Sequence, residues 1–241
     1  MCPEFFTCHN HVFKIIHIKN MVKKKMKLVI ALLLVVAVFS VASAQEKPKL
    51  ARLHYQGGGD WYNDGDALPN LAGFTNQVLN TNFALQEAIV KPDNNKLFNF
   101  PFLFMTGHGQ VKFSEEDIKN LREYLSRGGF LYVDDDYGLD ESFRREIKKI
   151  FPQKNLIELP SSHELINGFY PFPKGMPKIH EHDNKRPQAF AIFNDVGRLL
   201  VLYTYETNLS DGWTVNHNDP PEIREKALKM GANIIHYVMT K

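Results

Sequence analysis

Two histidines one residue apart, His180 and His182 in Lys178-Ile179-His180-Glu181-His182-Asp183, project to one side if that segment is extended, because strand side chains alternate with period two. Imidazoles placed that way beside carboxylates are donors for zinc or another divalent metal. His108 stands between Gly107 and Gly109, and Asp134-Asp135-Asp136 is a run of three acids. Adjacent carboxylates repel one another unless a cation, an arginine or several backbone N–H groups meet them. These residues together suit a metal-assisted hydrolysis. His108, His180, His182 and Asp135 are the candidate ligands, and Asp134 and Asp135 are the candidate catalytic carboxylates, one of them a general base on bound water. Each piece also has a plainer reading. The glycines around His108 supply positive φ for a turn, and residues 178–183 lack the third histidine of the better-known metallo-hydrolase motifs.

A second set suits ligand binding: Asp60, Trp61, His108, Asp136, Tyr137, Glu206, Trp213 and His217. Trp61, Tyr62 and Trp213 flank polar loops, where an aromatic face either stacks on a sugar or packs the rim of a domain. His217 precedes Asn218-Asp219-Pro220-Pro221-Glu222, which reads as a helix start and needs no further role.

Several familiar chemistries fail. The glycines at 57–59 do not extend to a dinucleotide fingerprint, because Tyr62 takes the last glycine position and Asp60, Asp64 and Asp66 would repel a phosphate. No P-loop, H-E-x-x-H or G-x-S-x-G is present. An EF-hand reading of 60–66 fails at Tyr62, where a ligand is needed.

The elements that must position these groups alternate between strand and helix. Strands are expected over 50–55, 87–90, 102–106 and 130–133, the last two apolar throughout, as buried parallel strands are. Helices are expected over 69–80, from Ser114 with a capping-box pattern, over a stretch carrying Phe143, Ile147, Ile150 and Phe151 with Asp140 as its cap, and from Pro220-Pro221 onward. Residues 189–193 and 199–205 read as a strand pair turned at 194–197. The alternation predicts an α/β fold with a mostly parallel sheet flanked by helices on both faces. Ligands of such sheets sit beyond the carboxyl ends of the strands, at a switch in strand order. The polar clusters at 57–61, 107–109, 134–138 and 206 all follow expected strands.

The basic cluster Lys23, Lys24, Lys25 and Lys27, the apolar run 28–41 and Ala42-Ser43-Ala44 have the layout of a signal peptide over 21–44, cleaved before Gln45. Residues 1–20 read as an upstream extension from a misplaced start, and 45–241 as a single α/β domain. The apolar run is short for a membrane span, so the expectation is a secreted or periplasmic protein with no stable span after cleavage. Both cysteines, Cys2 and Cys8, precede the domain, which excludes disulfides, thiolate metal sites and a cysteine nucleophile within it. Removing the six basic residues and one acid before Gln45 leaves 23 basic against 26 acidic residues. That balance gives no reason to expect nucleic acid as a partner.

The segments 102–109 and 128–138, with Phe143-Arg144-Arg145-Glu146, Leu159-Pro160, His163, 178–183 and Asp211-Gly212-Trp213, resemble the domain-of-unknown-function family numbered 4159, over essentially all of 49–241. The resemblance implies the class I glutamine amidotransferase-like fold, a flavodoxin-like three-layer sandwich. In glutamine amidotransferases the corresponding strand ends at a nucleophilic cysteine, and here that neighbourhood is Val133-Asp134-Asp135. Amidotransfer by that mechanism is therefore excluded. The first expectation is an exported module that binds a small polar ligand or an envelope protein partner. The alternative is a metal-dependent hydrolase, with zinc or a similar divalent ion, acting on a glycan or related polar substrate.

Overall fold

Phe102-Leu103-Phe104-Met105 and Phe130-Leu131-Tyr132-Val133 are apolar at every position, and the chain buries both runs on both faces as adjacent parallel strands. The computed structural model describes residue 21 and residues 23–27 and 46–241. The upstream segment 1–20, the apolar run 28–41 and the cleavage site at 42–44 lie outside the described residues. Within Lys47–Lys241 the strands are β1 (Ala51–Leu53), β2 (Ala88–Val90), β3 (Phe102–Met105), β4 (Phe130–Asp134), β5 (Ile157–Glu158), β6 (Gln188–Phe193) and β7 (Leu199–Tyr205). They form one sheet in the order β2-β1-β3-β4-β7-β6-β5. Pairing is parallel from β2 to β7 and antiparallel for β6 and β5.

Five helices cover it: α1 (Ala67–Val78), α2 (Glu115–Ser126), α3 (Asp140–Ile150), the short α4 (Glu164–Asn167) and α5 (Pro221–Thr240). Strand alternation sorts the core into two layers. Phe102, Phe104, Phe130 and Tyr132 meet Leu68 and Leu71 of α1 and Met230 and Ile234 of α5. Leu103, Met105, Leu131 and Val133 meet Leu121 and Leu125 of α2 and Phe143 and Ile147 of α3. Helices on both faces of a mostly parallel sheet give the three-layer α/β architecture that the alternation predicts. Among the described residues no helix is long and apolar enough to cross a membrane.

Ser114 caps α2 through a reciprocal box: its hydroxyl accepts the Asp117 N–H at 3.2 Å, and the Asp117 carboxylate accepts the Ser114 N–H at 2.8 Å. Asp140 departs from expectation. It is the first residue of α3 and makes no capping bond; its Oδ1 instead takes the Arg144 guanidinium at 2.6 Å and the Tyr203 hydroxyl at 2.7 Å. Asp135 secures that entry, its Oδ1 accepting the Leu139 N–H at 2.9 Å. The two-residue edge strand β5 carries no periodicity, so the sequence offers no sign of it.

Candidate functional site

β1 has β2 on one side and β3 on the other, so the loops that leave β1 and β3 part at a topological switch point. The loops after β4 and β7 open on the same carboxyl edge. β6 runs antiparallel, Gln188 pairing with Tyr205, so its entry segment 177–187 arrives there too.

Arg52, alone among charged residues in apolar β1, fixes the first loop. Its Nε donates to Glu87 at 3.0 Å, Nη1 to the Asn63 carbonyl at 2.6 Å and Nη2 to the Asp64 carbonyl at 2.9 Å. The guanidinium also lies 5.2 Å from the centre of the Phe104 ring. Asp64 is thereby held in the left-handed region at φ 53°. Its carboxylate meets two others: single oxygens of Asp64, Asp136 and Asp211 all lie within 4.8 Å of one another, and all three residues are buried.

Histidines ring this cluster. His217 Nε2 lies 3.2 Å from Asp64 Oδ1 and 3.9 Å from Asp211 Oδ1. His180 bridges two acids, Nδ1 at 2.7 Å from Asp211 Oδ2 and Nε2 at 2.9 Å from Asp219 Oδ1. His108, its side chain 49% exposed, sits 3.0 Å from Asp60 Oδ2 and 3.4 Å from Asp136 Oδ2. Asn208 Nδ2 donates to Asp136 Oδ1 at 3.1 Å and Asp211 Oδ2 at 3.3 Å, and Asn63 Nδ2 donates to Asp136 as well.

The electrostatics follow from this crowding. Burial pushes the Asp211 carboxyl up; His180 pulls it down, and the neighbouring Asp136 and Asp64 carboxylates raise it further. His180 is pushed up by its hydrogen bond to Asp211 against the opposing effect of burial. Burial works against charge on His108, but Asp136 and Asp60 outweigh it and hold the ring above its ordinary value. All three directions favour proton retention where negative charge is in excess.

The expected residues do not all meet. Asp134 is fully buried, its oxygens taken by Thr204, Thr207 and both the N–H and hydroxyl of Ser210, and burial pushes it up to about 6. It ties the end of β4 to the turn after β7 and presents no oxygen to a substrate. Asp135 turns to the opposite face, toward the Leu139 N–H and the Tyr203 hydroxyl, and burial pushes it up to about 7. The strand alternation that brings Asp136 to the cluster carries Asp135 away from it. Nor do His180 and His182 act as a pair: residues 180–187 form no strand, and His182 stacks on Tyr137 with ring centres 4.6 Å apart. The expected metal set of His108, His180, His182 and Asp135 is therefore dispersed.

Trp213 lies in the core, fully buried against Phe104 and Tyr132, with its Nε1 donating to the Ala227 carbonyl at 2.9 Å. Gly231 of α5 makes room for it; a Cβ there would come within 2.9 Å of the indole. Trp61 stacks on His54 at 4.0 Å. Glu206 accepts from Lys178 at 3.1 Å and so pins the entry segment that carries His180.

Asp64, Asp211, Asp219 and Arg52 are the site residues that motif reading passes over. Their signals are a lone charge inside an apolar strand and an acid opening Asp211-Gly212-Trp213 after the longest strand. A cavity of about 480 Å³ lined by Tyr170, Phe172, Met176, Lys226 and Lys229 includes none of these groups.

The model of a family described as "Domain of unknown function (DUF4159)" matches residues 49–239, and the chain belongs to that family. No curated protein matches the sequence.

Proposed function

We propose that this family member is an exported module that binds a small polar, hydroxyl-rich ligand at the carboxyl edge of its sheet. The observation that carries the reading is convergence. Asp60 and Asp64, His108, Asp136, and Asp211 with His217 come from four separate loops after parallel strands; contacts of 3.0–3.9 Å join Asp60 to Asp136 through His108 and Asp64 to Asp211 through His217, and the two sets meet where Asp64, Asp136 and Asp211 lie within 4.8 Å of one another. An edge so rich in acceptors takes the O–H or N–H donors of a ligand. Tyr62 and Tyr137, both exposed, belong to the same loops, and Tyr62, with the face of Tyr137 turned away from His182, offers an aromatic surface to a sugar. The basic and apolar segments before Gln45 support export, which would set the ligand or an envelope protein partner in the periplasm or outside the cell. The glutamine amidotransferase-like placement belongs to the same proposal; with Asp134 at the strand end where the nucleophile would stand, binding replaces amidotransfer.

Hydrolysis of the bound ligand is the second reading. It is favoured by the Asp60–His108 contact, which orients an imidazole at the exposed rim. Thermal-shift measurements of the protein against mono- and disaccharides and short glycan fragments, repeated with His108→Ala, test both. A sugar that raises the midpoint of the wild type and not of the variant supports binding, and cleavage products from the same fragments make hydrolysis the activity. No shift with any fragment refutes the reading. N-terminal sequencing of protein recovered outside the cytoplasm should begin at Gln45; a retained 21–44 segment would refute cleavage.

A further inference from the structure

Asp64, Asp136 and Asp211 present a charge problem. Three buried carboxyl groups with oxygens within 4.8 Å of one another cannot all carry charge unless positive charge meets them. Among the described residues no lysine or arginine side chain pairs with any of the three. Arg52 gives its guanidinium to Glu87 and to backbone carbonyls, and Lys178 turns to Glu206 and Glu181. Among the described residues the basic side chains that reach the three are His108, His180 and His217, and His180 already lies between Asp211 and Asp219.

Asp211 supplies a second, independent sign. It is 2% exposed, and its Oδ2 is engaged by His180 and Asn208. Its Oδ1 is buried without any hydrogen-bond partner while facing His217 Nε2 at 3.9 Å. A buried acceptor left bare is costly, and a native structure rarely tolerates one without an ion or water to meet it.

We propose that Asp64, Asp136, Asp211 through Oδ1 and His217 through Nε2 hold one divalent cation, with His180 as a positioning residue behind Asp211. The inference rests on the carboxyl edge being the functional face, as proposed above. Three carboxylate oxygens and one imidazole nitrogen are a mixed donor set, which suits Mn²⁺ or Zn²⁺ better than the all-oxygen preference of Ca²⁺ or Mg²⁺. His180 has the place of an outer partner: it holds Asp211 Oδ2, and Asp219 fixes its ring from the other side. The ligands come from the loops after β1, β4 and β7, so the ion would also tie those loops together. It would give the hydroxyl groups of a bound sugar a Lewis-acid partner.

Titration of Mn²⁺ and of Zn²⁺ into chelator-stripped, dialysed protein, followed by calorimetry and by metal analysis after equilibrium dialysis, tests this with no organic ligand present. About one equivalent should bind. His180→Ala should weaken binding by about 10–100-fold, and Asp211→Asn by more than that, while His182→Ala binds as the wild type does. Thermal unfolding establishes that each variant is folded. If Asp211→Asn is not, His217→Gln carries the test, because that ring is 37% exposed and its loss opens no core. A folded wild type that takes up neither ion at about millimolar concentration, or ligand variants that bind as tightly as the wild type, would overturn the site. If the cation site falls in either way, a sugar shift that persists in metal-free protein leaves the ligand reading standing.

Discussion

Replacing Arg52 with Met should cost the protein about 4 kcal/mol of stability and loosen the loop that carries Asp64. The magnitude follows from what the guanidinium touches. Met keeps an apolar stem against Phe104, but it strands the Glu87 carboxylate, whose side chain is only 15% exposed, and frees the Asn63 and Asp64 carbonyls. Deleting one partner of a buried ion pair costs about 3–5 kcal/mol. In a domain of this size each kcal/mol lowers the melting temperature by about 2–4 °C, so the drop should be about 8–16 °C. Burial already pushes Glu87 up despite Arg52, and without the guanidinium it rises further. A carboxyl whose folded pKa is raised binds more protons in the native state, so the deficit of the variant should grow as pH rises above the wild type's already raised Glu87 value and shrink in acid. Arg52→Met/Glu87→Leu removes the stranded charge and should regain the ion-pair part of the loss, leaving the loop part. Scanning calorimetry and urea titration at two pH values read all of this. A single variant that melts within about 2 °C of wild type, or a double variant no more stable than the single, would refute the account of Arg52.

Two further perturbations follow from the same contacts. Burial raises the Glu146 carboxyl, but Lys149, the Phe113 N–H and Arg145 outweigh it and hold it below the usual glutamate range. Its stabilisation is therefore full above the ordinary value and lost as pH falls through the lowered one. Glu146→Gln should cost about 1–2 kcal/mol at neutral pH, the low end of the range because Arg145 and Lys149 are half exposed. The gap from wild type should close in acid, and a pH-independent gap in melting temperature would contradict it. Gly107→Ala places a Cβ 2.6 Å from the Tyr55 hydroxyl and 2.8 Å from Asp60 Oδ1, at a φ of 133°. It should destabilise by at least about 1–3 kcal/mol and disturb the Asp60–His108 contact; unchanged unfolding would show that the turn is not so constrained.

The apolar runs at 102–105 and 130–133 announced buried parallel strands, and the polar clusters after them lie at the carboxyl edge of the sheet, because strand ends and loop chemistry are both local in sequence. Which carboxylates meet is not local. Asp134 and Asp135 have the same residue type and adjacent positions, yet one locks a turn and the other faces the opposite layer, while Asp136 alone reaches Asp64 and Asp211. Asp64 and Asp211 are 147 positions apart in the chain, and only the strand order β1-β3-β4-β7 brings their loops together. His180 and His182 show the same limit from the other side. Their spacing promises a shared face only if the segment is a strand, and the Lys178–Glu206 contact and the stack on Tyr137 hold it in another shape. Arg52 was visible as a lone charge in β1, but its partners Glu87 and the Asp64 carbonyl depend on the parallel pairing of β1 with β2.

Anomalous diffraction at the manganese edge, from crystals of the protein grown with Mn²⁺, locates the cation among these carboxylates. One peak is expected, bounded by Asp64, Asp136, Asp211 Oδ1 and His217 Nε2, with His180 behind it. A peak at His108 or His182 instead, or no peak at that cluster in well-ordered crystals, would contradict it.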